Sequence, residues 1–233
     1  MIAIRQFRYA TDNLGYVLHG NRSAVAIDGG AVPDILEFIK SHKLSLSLIT
    51  NTHAHADHTI GNHRLVQKTG AHLLAFGDLR DGGEIDLDGI PILIYRTPGH
   101  SEDSVCFHAG NYLITGDTLF NGTVGNCFSG DLKSFYWSIK KLMTLPPESL
   151  IYAGHDYVRD SIAYAETLEP ENENIKAFLA RYSPRHVFST LKEEFQINPF
   201  LRMNAPEIVS FLKKKGLPCD TEWERWHSLM TME

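Results

Sequence analysis

The sequence predicts an α/β protein that continues into a region made of helices alone. Up to residue 155, short apolar runs rich in β-branched residues alternate with segments of helical spacing, and polar residues follow the ends of several runs. After residue 153 the spacing is helical throughout and gives no convincing strand. We therefore predict an α/β domain over residues 1–160 and a helical C-terminal domain over residues 161–233.

The first predicted elements lead up to one buried strand. Loose alternation gives a strand over residues 2–9, and Gly20-Asn21 forms the turn of a hairpin whose strands lie at 16–19 and 24–27. Pro33 starts a helix that runs to residue 40, because proline is favoured in the first helical turn. Residues 46–50 form the buried strand, and a helix over residues 59–69 follows.

The remaining elements are predicted in the same way, strands from alternating residues and helices from helical spacing. Strands are predicted at residues 72–76, 84–87, 90–97, 104–108, 112–115 and 150–153. Helices are predicted at residues 132–145, 160–168, 172–181, 188–195, 206–215 and 221–230. Pro146 and Pro147 stop the first of these helices.

Composition narrows the class of protein. The chain has 233 residues, of which 43% are hydrophobic and 21% charged, as in an ordinary globular protein. A net charge of −6 argues against nucleic acid or an anionic membrane as partner. The three cysteines form no C-x-x-C pair, and we find neither a signal peptide nor an apolar run of membrane-spanning length. We therefore expect a cytoplasmic protein; the sequence leaves its oligomeric state open.

A cluster of histidines follows the buried strand directly. His53, His55 and Asp57 alternate along what we expect to be an extended segment, so their side chains should point the same way. His58 adds a neighbour that points elsewhere. Ligands of α/β proteins bind beyond the carboxyl ends of strands, so this cluster predicts a metal site for more than one ion.

Three further candidate ligands follow a glycine at or near a predicted strand end. His100, Asp117 and His155 each have this position, which brings the donors to seven. The full set is His53, His55, Asp57, His58, His100, Asp117 and His155. One zinc ion takes about four ligands, so seven donors suit two divalent ions that share a bridging carboxylate. Nitrogen and oxygen donors without thiolate suit zinc, iron or manganese alike. Of these we expect zinc, and iron and manganese stay as alternatives.

Such a pair of ions predicts hydrolytic chemistry. Two ions about 3.5–4 Å apart lower the pKa of the water between them and polarise the bond under attack. The sequence contains no G-x-S-x-G, no P-loop and no G-x-G-x-x-G. An ester or thioester hydrolase follows naturally, and the metals alone equally allow cleavage of a phosphodiester.

These motifs resemble the metallo-β-lactamase superfamily and, within it, the glyoxalase II (hydroxyacylglutathione hydrolase) family. The His-x-His-x-Asp-His motif at residues 53–58 is shared by many hydrolases, so it indicates only the superfamily. The segments Glu-Pro-Glu-Asn at 169–172 and Asn-Pro-Phe-Leu-Arg at 198–202 are far more specific. The resemblance runs from about residue 10 to about residue 205.

The resemblance implies a fold, a ligand assignment and a reaction. The fold is an αββα sandwich with a helical C-terminal domain. His53, His55 and His100 would hold the first metal, and Asp57, His58 and His155 the second. Asp117 would bridge them, and Asp57 would also orient the attacking water, which makes these two aspartates the catalytic residues. The substrate is a small-molecule thioester, which yields a thiol and a carboxylic acid.

The departures from the family concern the substrate. Asn126 stands where family members carry a basic residue that contacts glutathione, Phe128 replaces a tyrosine seen in some members, and Tyr157 is retained. The C-terminal Arg-x-x-Lys pair is not apparent in residues 222–230. We predict substrate contacts from Asn126, Phe128 and Tyr157, and a glutathione carboxylate bound more weakly by about 1 kcal/mol or more.

Other functions remain as alternatives. Iron-dependent persulfide dioxygenases share the fold and the first metal site but use one iron. A hydrolase of a different ester, thioester or phosphodiester would use the same ligands. A nuclease conflicts with the acidic charge and the lack of a basic arm, and a non-catalytic scaffold conflicts with the seven retained donors.

Overall fold

Two β-sheets form the centre of the computed structural model, which describes residues 2–232. The first sheet contains β1 (Ala3–Tyr9), β2 (Asn13–His19), β3 (Ser23–Ile27), β4 (Ser45–Thr50) and β5 (His72–Leu73) in chain order. The second has the order β11-β10-β9-β8-β7-β6. Its strands are β6 (Glu84–Leu87), β7 (Ile90–Arg96), β8 (Val105–Ala109), β9 (Tyr112–Gly116), β10 (Leu150–Ala153) and β11 (Ser189–Thr190).

Nine helices occur in the described part of the chain, together with a 3₁₀ turn at Phe76–Asp78. Four precede β10: α1 (Val32–Ser41), α2 (Ala56–Thr59), α3 (Asn62–Thr69) and α4 (Leu132–Leu142). Five follow it: α5 (Val158–Leu168), α6 (Glu173–Arg181), α7 (Leu191–Ile197), α8 (Pro206–Lys214) and α9 (Glu222–Thr231). None of the helices within residues 2–232 has the length and apolar character that a membrane span requires.

Alternation along the strands builds the core between the sheets. On β9 and β10, Ile114 and Tyr152 pack into the space between the two sheets, where they meet Tyr16 of β2. Their chain neighbours Leu113 and Ile151 point to the opposite face and pack under helices. Side chains of a strand point alternately to its two faces, so strands buried on both faces are apolar at nearly every position.

Helices cover the outer faces of both sheets. Ile35 of α1 and Leu65 of α3 pack on the first sheet beside Ile49 of β4. Phe135 of α4 and Trp226 of α9 belong to the cluster on the outer face of the second sheet. The layers are helix, sheet, sheet, helix, which confirms the predicted αββα sandwich.

The strands that deliver the candidate ligands end at one edge of the sandwich. β3 and β4 are parallel, as are β9 and β10, so each pair ends on the same side. Backbone hydrogen bonds join the two sheets at this edge, from Leu14 N to Gly154 O at 2.7 Å and from Val105 N to Thr52 O at 2.8 Å. The segments that follow these strands therefore meet.

The prediction of no strand after residue 153 is wrong at one point. Ser189 and Thr190 form β11, which pairs antiparallel with β10. The helix predicted from residue 188 begins at Leu191, because Thr190 is its N-cap in extended conformation and forms a capping box with Glu193. A strand of two residues is too short to produce a visible alternation.

The prediction of one helix over residues 59–69 is also wrong. The segment contains α2 and α3, which are separated at Gly61, where a Cβ atom would overlap the carbonyl oxygen of Gly29. His55 is extended, with ψ of 144°, but α2 starts at Ala56. Asp57 therefore lies on a helical turn with His58, and the expected alternation ends at His55.

Candidate metal centre

The loop after β4 is held by hydrogen bonds from residues outside the histidine motif. Thr52 donates to Asp28 twice, from its backbone nitrogen at 2.8 Å and its hydroxyl at 2.7 Å. Asn51 donates from its side chain to the carbonyl of His58 at 2.7 Å. These contacts fix both ends of the loop and direct its side chains toward the second sheet.

The first group of donors comprises three imidazole rings. His55 Nδ1 lies 2.9 Å from His53 Nε2 and 3.1 Å from His100 Nε2, so the three nitrogens face a common point. His100 Nδ1 donates to the carbonyl of Asn126 at 2.9 Å, which leaves the lone pair of its Nε2 directed inward. A hydrogen bond to the outer ring nitrogen is the usual support of a metal-binding histidine.

The second group comprises Asp57, His58 and His155. The Nε2 atoms of the two histidines are 3.2 Å apart, and Asp57 Oδ2 lies 3.3 Å from His155 Nε2. The outer nitrogens are again occupied. His58 Nδ1 donates to Asp28 at 3.0 Å and His155 Nδ1 donates to Asp12 at 2.9 Å, which fixes the tautomer that exposes Nε2 to the centre.

Asp117 lies between the two groups. Its Oδ2 is 3.5 Å from His100 Nε2 and 3.4 Å from His155 Nε2, and its Oδ1 is 3.4 Å from His58 Nε2. Oδ1 is buried and has no hydrogen-bond partner within the described chain. Gly154 makes this position possible, because a Cβ atom there would overlap Asp117 Oδ1. Such a buried acceptor fits a bound cation.

The electrostatics of the centre favour cations. Burial lowers the pKa of His53 to about 4, so its ring is neutral and can act as a ligand. Burial also acts to lower the pKa of His58, but the nearby carboxylates of Asp28 and Asp117 raise it to about 11. Burial acts to raise the pKa of Asp117, yet His155 and His58 hold it well below its usual range. The field that attracts a proton to His58 equally attracts a metal ion.

The donor set fits divalent metal binding. Three groups of ligand atoms each lie within 4.8 Å of one another: His53, His55 and His100; His53, His58 and Asp117; and Asp57, His58 and His155. Each contains only nitrogen and oxygen donors, which suit zinc, iron or manganese. All seven residues predicted as ligands from the sequence are thus brought together.

The three residues predicted to contact substrate surround this centre. Tyr157 stacks on His155, with ring centroids 5.0 Å apart. Phe128 lies 5.2 Å from the ring of His100 and is 68% exposed. Asn126 touches His100 through its backbone carbonyl.

Four supporting residues were missed at the sequence level. Asp28 and Asp12 orient the rings of His58 and His155. Asn13 donates to Asp57 Oδ2 at 2.8 Å, and the Tyr9 hydroxyl donates to the Asp57 carbonyl at 3.0 Å. Asp28 follows β3, so it could have been found by asking which other strand ends at the same edge. The other three lie at or beside the β1–β2 turn, whose approach to His155 depends on the tertiary fold.

Comparisons with known proteins identify the family. The family model "Hydroxyacylglutathione hydrolase C-terminus" matches residues 156–232, and "Metallo-beta-lactamase superfamily" matches residues 72–155. The hydroxyacylglutathione hydrolase of Pseudoalteromonas translucida (strain TAC 125) is 30% identical over 98% of this chain and 96% of its own length. This chain belongs to the hydroxyacylglutathione hydrolase family. The hydroxyacylglutathione hydrolase of Methylococcus capsulatus is 33% identical over 94% of this chain and 93% of its own length. The chain is accordingly an enzyme of the metal-dependent thioester hydrolase class.

Solved structures share the fold of this chain. ETHE1 from Myxococcus xanthus has a TM-score of 0.73 and 23% identity, covering 99% of this chain and 91% of its own. TTHA1623 in a di-iron-bound form has a TM-score of 0.59 and 25% identity, covering 81% of this chain and 95% of its own.

Proposed function

We propose that this hydroxyacylglutathione hydrolase family member holds two divalent ions and hydrolyses small-molecule thioesters. His53, His55 and His100 would hold one ion, and Asp57, His58 and His155 the other. One observation carries the proposal: Asp117 lies within 3.5 Å of ring nitrogens from both groups, as a bridging carboxylate requires. The ions are zinc in our proposal, with iron or manganese as alternatives.

Bound divalent ions supply Lewis acidity, which lowers the pKa of water and stabilises negative charge on a carbonyl oxygen. The protein contributes position and surroundings. Asp57 has a side chain that is 48% exposed, so one side of its carboxylate is open to orient an incoming water. Asp117 is buried, so it can hold its place between the two donor groups. These two aspartates are the catalytic residues of our proposal.

Residues at the rim would contact the substrate. Tyr157 and Phe128 present exposed rings beside His155 and His100, and Asn126 lies on the same loop as Phe128. Hydrolysis of the thioester places a hydroxyl group on the acyl carbon and releases the thiol. The family name supports an acyl thioester as the substrate class, since the curated relatives are hydroxyacylglutathione hydrolases.

The remaining proposals concern organisation and surroundings. We propose that the enzyme is cytoplasmic and acts without nucleic acid or membrane as partner. The proposed division into residues 1–160 and 161–233 falls inside α5, which starts at Val158. The match to one family model ends at residue 155 and the match to the other begins at residue 156, close to that boundary.

The dioxygenase alternative predicts a different metal content. A persulfide dioxygenase would bind one iron per chain, so the second donor group would have no ion to hold. Asp57, His58 and His155 form such a group, with the outer ring nitrogens of both histidines hydrogen-bonded, which favours the hydrolase. The likeness to ETHE1 is at 23% identity and concerns the fold alone.

Elemental analysis and a panel of thioesters test the proposal. We expect about two metal ions per chain and hydrolysis of acyl thioesters without oxygen uptake on thiol persulfides. His55→Ala should lose metal and lose at least 100-fold in kcat, while circular dichroism stays near wild type. His63→Ala, on the exposed face of α3, is the matched control and should retain both. Unchanged hydrolysis by His55→Ala would rule out the metal mechanism.

A further inference from the structure

The loop over residues 124–130 separates the candidate metal centre from a cavity of about 260 Å³. On the inner side, a Cβ atom on Gly125 would lie 3.1 Å from His100 Nδ1. On the outer side, the cavity is lined by five apolar groups together with Asn126 and the glycines Gly125 and Gly130. These apolar groups are Val124, Cys127, Leu132, Phe200 and Met230.

A second cavity, of about 290 Å³, lies beside the first, and two of its lining rings lie next to the centre. It shares Val124 and Asn126 with the first cavity and extends to Phe120 and Tyr157. The rings of Phe120 and Tyr157 lie 6.2 and 5.0 Å from the ring of His155. A substrate whose acyl carbon lies at the centre would therefore extend its other part into these cavities.

Neither cavity is lined by lysine or arginine from the described residues, and the second includes the carboxylate of Asp160. Nearby arginines are engaged elsewhere. Arg202 forms a bidentate pair with Glu169 at 2.6 and 2.7 Å, and Arg225 donates to Asn204 and to the carbonyl of Cys219. A carboxylate entering either cavity would lose water without gaining a cationic partner, which is unfavourable.

The mouth of the centre adds apolar surface. Phe128 is 68% exposed, and Ile60, which directly follows α2, is 71% exposed. Large apolar side chains exposed beside a cleft are typical of ligand-binding surfaces. The surroundings of the centre thus combine apolar contacts, one side-chain amide, hydroxyl groups and negative charge.

We propose that the thiol part of the substrate is uncharged, built from alkyl and amide groups, and occupies these two cavities. This inference rests on the proposed thioester hydrolysis. In this proposal, the Asn126 side chain forms a hydrogen bond with an amide of the substrate. Val124, Phe200 and Met230 pack against the alkyl portion of the thiol. The proposal excludes a thiol that carries free carboxylates, as glutathione does.

In the test, the metal-loaded enzyme is given two thioesters that carry the same acyl group on different thiols. The thiols are N-acetylcysteamine, which is uncharged, and glutathione. We expect kcat/KM to be at least 10-fold higher for the N-acetylcysteamine thioester. Equal or better turnover of the glutathione thioester overturns the inference and leaves the hydrolase proposal standing. Absence of turnover with both overturns the proposed function together with the inference.

A charge introduced into the cavities supplies a second test. Asn126→Lys combined with Met230→Lys should lower KM for the glutathione thioester at least 5-fold at low salt, and the gain should shrink in 0.5 M salt. The dissociation constant of the non-hydrolysable S-hexylglutathione, measured by calorimetry, should fall in parallel. Asn174→Lys, an exposed asparagine on α6, is the matched control and should change neither value. Unchanged binding in the double variant overturns the assignment of these cavities to the thiol part.

Discussion

Asp28 shows how one residue outside the set of candidate ligands organises the candidate metal centre. It is fully buried, it adopts a positive φ of 53°, and its carboxylate accepts hydrogen bonds from Thr52 and His58. Aspartate tolerates this left-handed conformation better than most residues. The same carboxylate therefore shapes the turn after β3, anchors the loop after β4 and fixes the ring of His58.

Asp28→Asn should weaken metal binding without unfolding the protein. An amide at this position keeps the size of the side chain but removes the charge. Its NH2 group would also face Thr52 and His58, which themselves donate hydrogen bonds to Asp28. We expect metal affinity to fall 10- to 100-fold, the usual effect of losing such a support. Competition with a chelator measures the affinity. Asp34→Asn, exposed on α1, is the control, and equal affinity in the two variants would contradict this role of Asp28.

At the residue scale, the sequence indicated the candidate donors but not the residues that hydrogen-bond to them. The seven donors belong to short motifs whose residue types have few other uses at strand ends. Asp12, Asn13 and Asp28 carry no such motif, and each acts on a partner at least thirty positions away. Their function depends on which backbone segments meet, and that information is absent from local spacing.

At the scale of elements, α7 is tied to the segment that follows Asp117. Glu194 of α7 is fully buried and accepts hydrogen bonds from Gly122 N at 3.0 Å, from Asn198 Nδ2 at 2.8 Å and from the Ser189 hydroxyl. Asn198 also donates to the carbonyl of Thr123 at 3.0 Å. A buried carboxylate thus links the loop beside the centre to the C-terminal helices.

This network predicts a pH-dependent stability. Burial raises the pKa of Glu194 to about 7 in the folded chain, above the ordinary value of 4.5. The folded state therefore favours the protonated form, and its stabilisation, present below pH 4.5, is lost as pH rises through 7. The loss amounts to about 3 kcal/mol of unfolding free energy at most.

Glu194→Gln should remove this component, because the amide does not titrate. Urea unfolding of the variant and the wild type from pH 5 to pH 8 measures it. The wild type should lose stability relative to the variant as pH rises. Glu207→Gln, exposed on α8, should follow the wild type. A constant difference between Glu194→Gln and wild type across this range would contradict the shifted pKa.

At the scale of the whole molecule, the C-terminal helices share a core with the second sheet. Trp226 of α9 is fully buried, and its ring lies 5.8 Å from Phe135 of α4 and 5.6 Å from Phe200. The same apolar cluster includes Leu113 and Ile151 of the sheet. The two proposed domains are therefore expected to unfold together.

Trp226→Ala should destabilise the whole chain. Loss of a large buried aromatic ring costs about 3–5 kcal/mol. We expect one unfolding transition at lower urea, coincident when followed by circular dichroism and by tryptophan fluorescence. Trp137→Ala, 59% exposed on α4, is the control and should change little. A separate early transition of the helical region would show instead that residues 161–233 form an independent unit.

The overall architecture could be predicted from the sequence because motif residues and periodicity point to the same fold. The αββα layers follow from the resemblance, and most strands lie within two residues of their predicted bounds. The strand order and the return of residues 189–190 to the second sheet could not be predicted. They depend on non-local pairing, which leaves no mark in a segment of two residues.

The pairing of β11 with β10 has a consequence for synthesis on the ribosome. β10 precedes the candidate ligand His155, and within residues 2–232 only Ser189 and Thr190 cover the outer edge of β10. Until those residues emerge, the nascent chain carries all seven candidate ligands beside an unpaired strand edge, which is prone to aggregation. Translation that pauses between codons 155 and 189 should therefore expose the chain to self-association, and rapid passage through this interval should favour soluble yield.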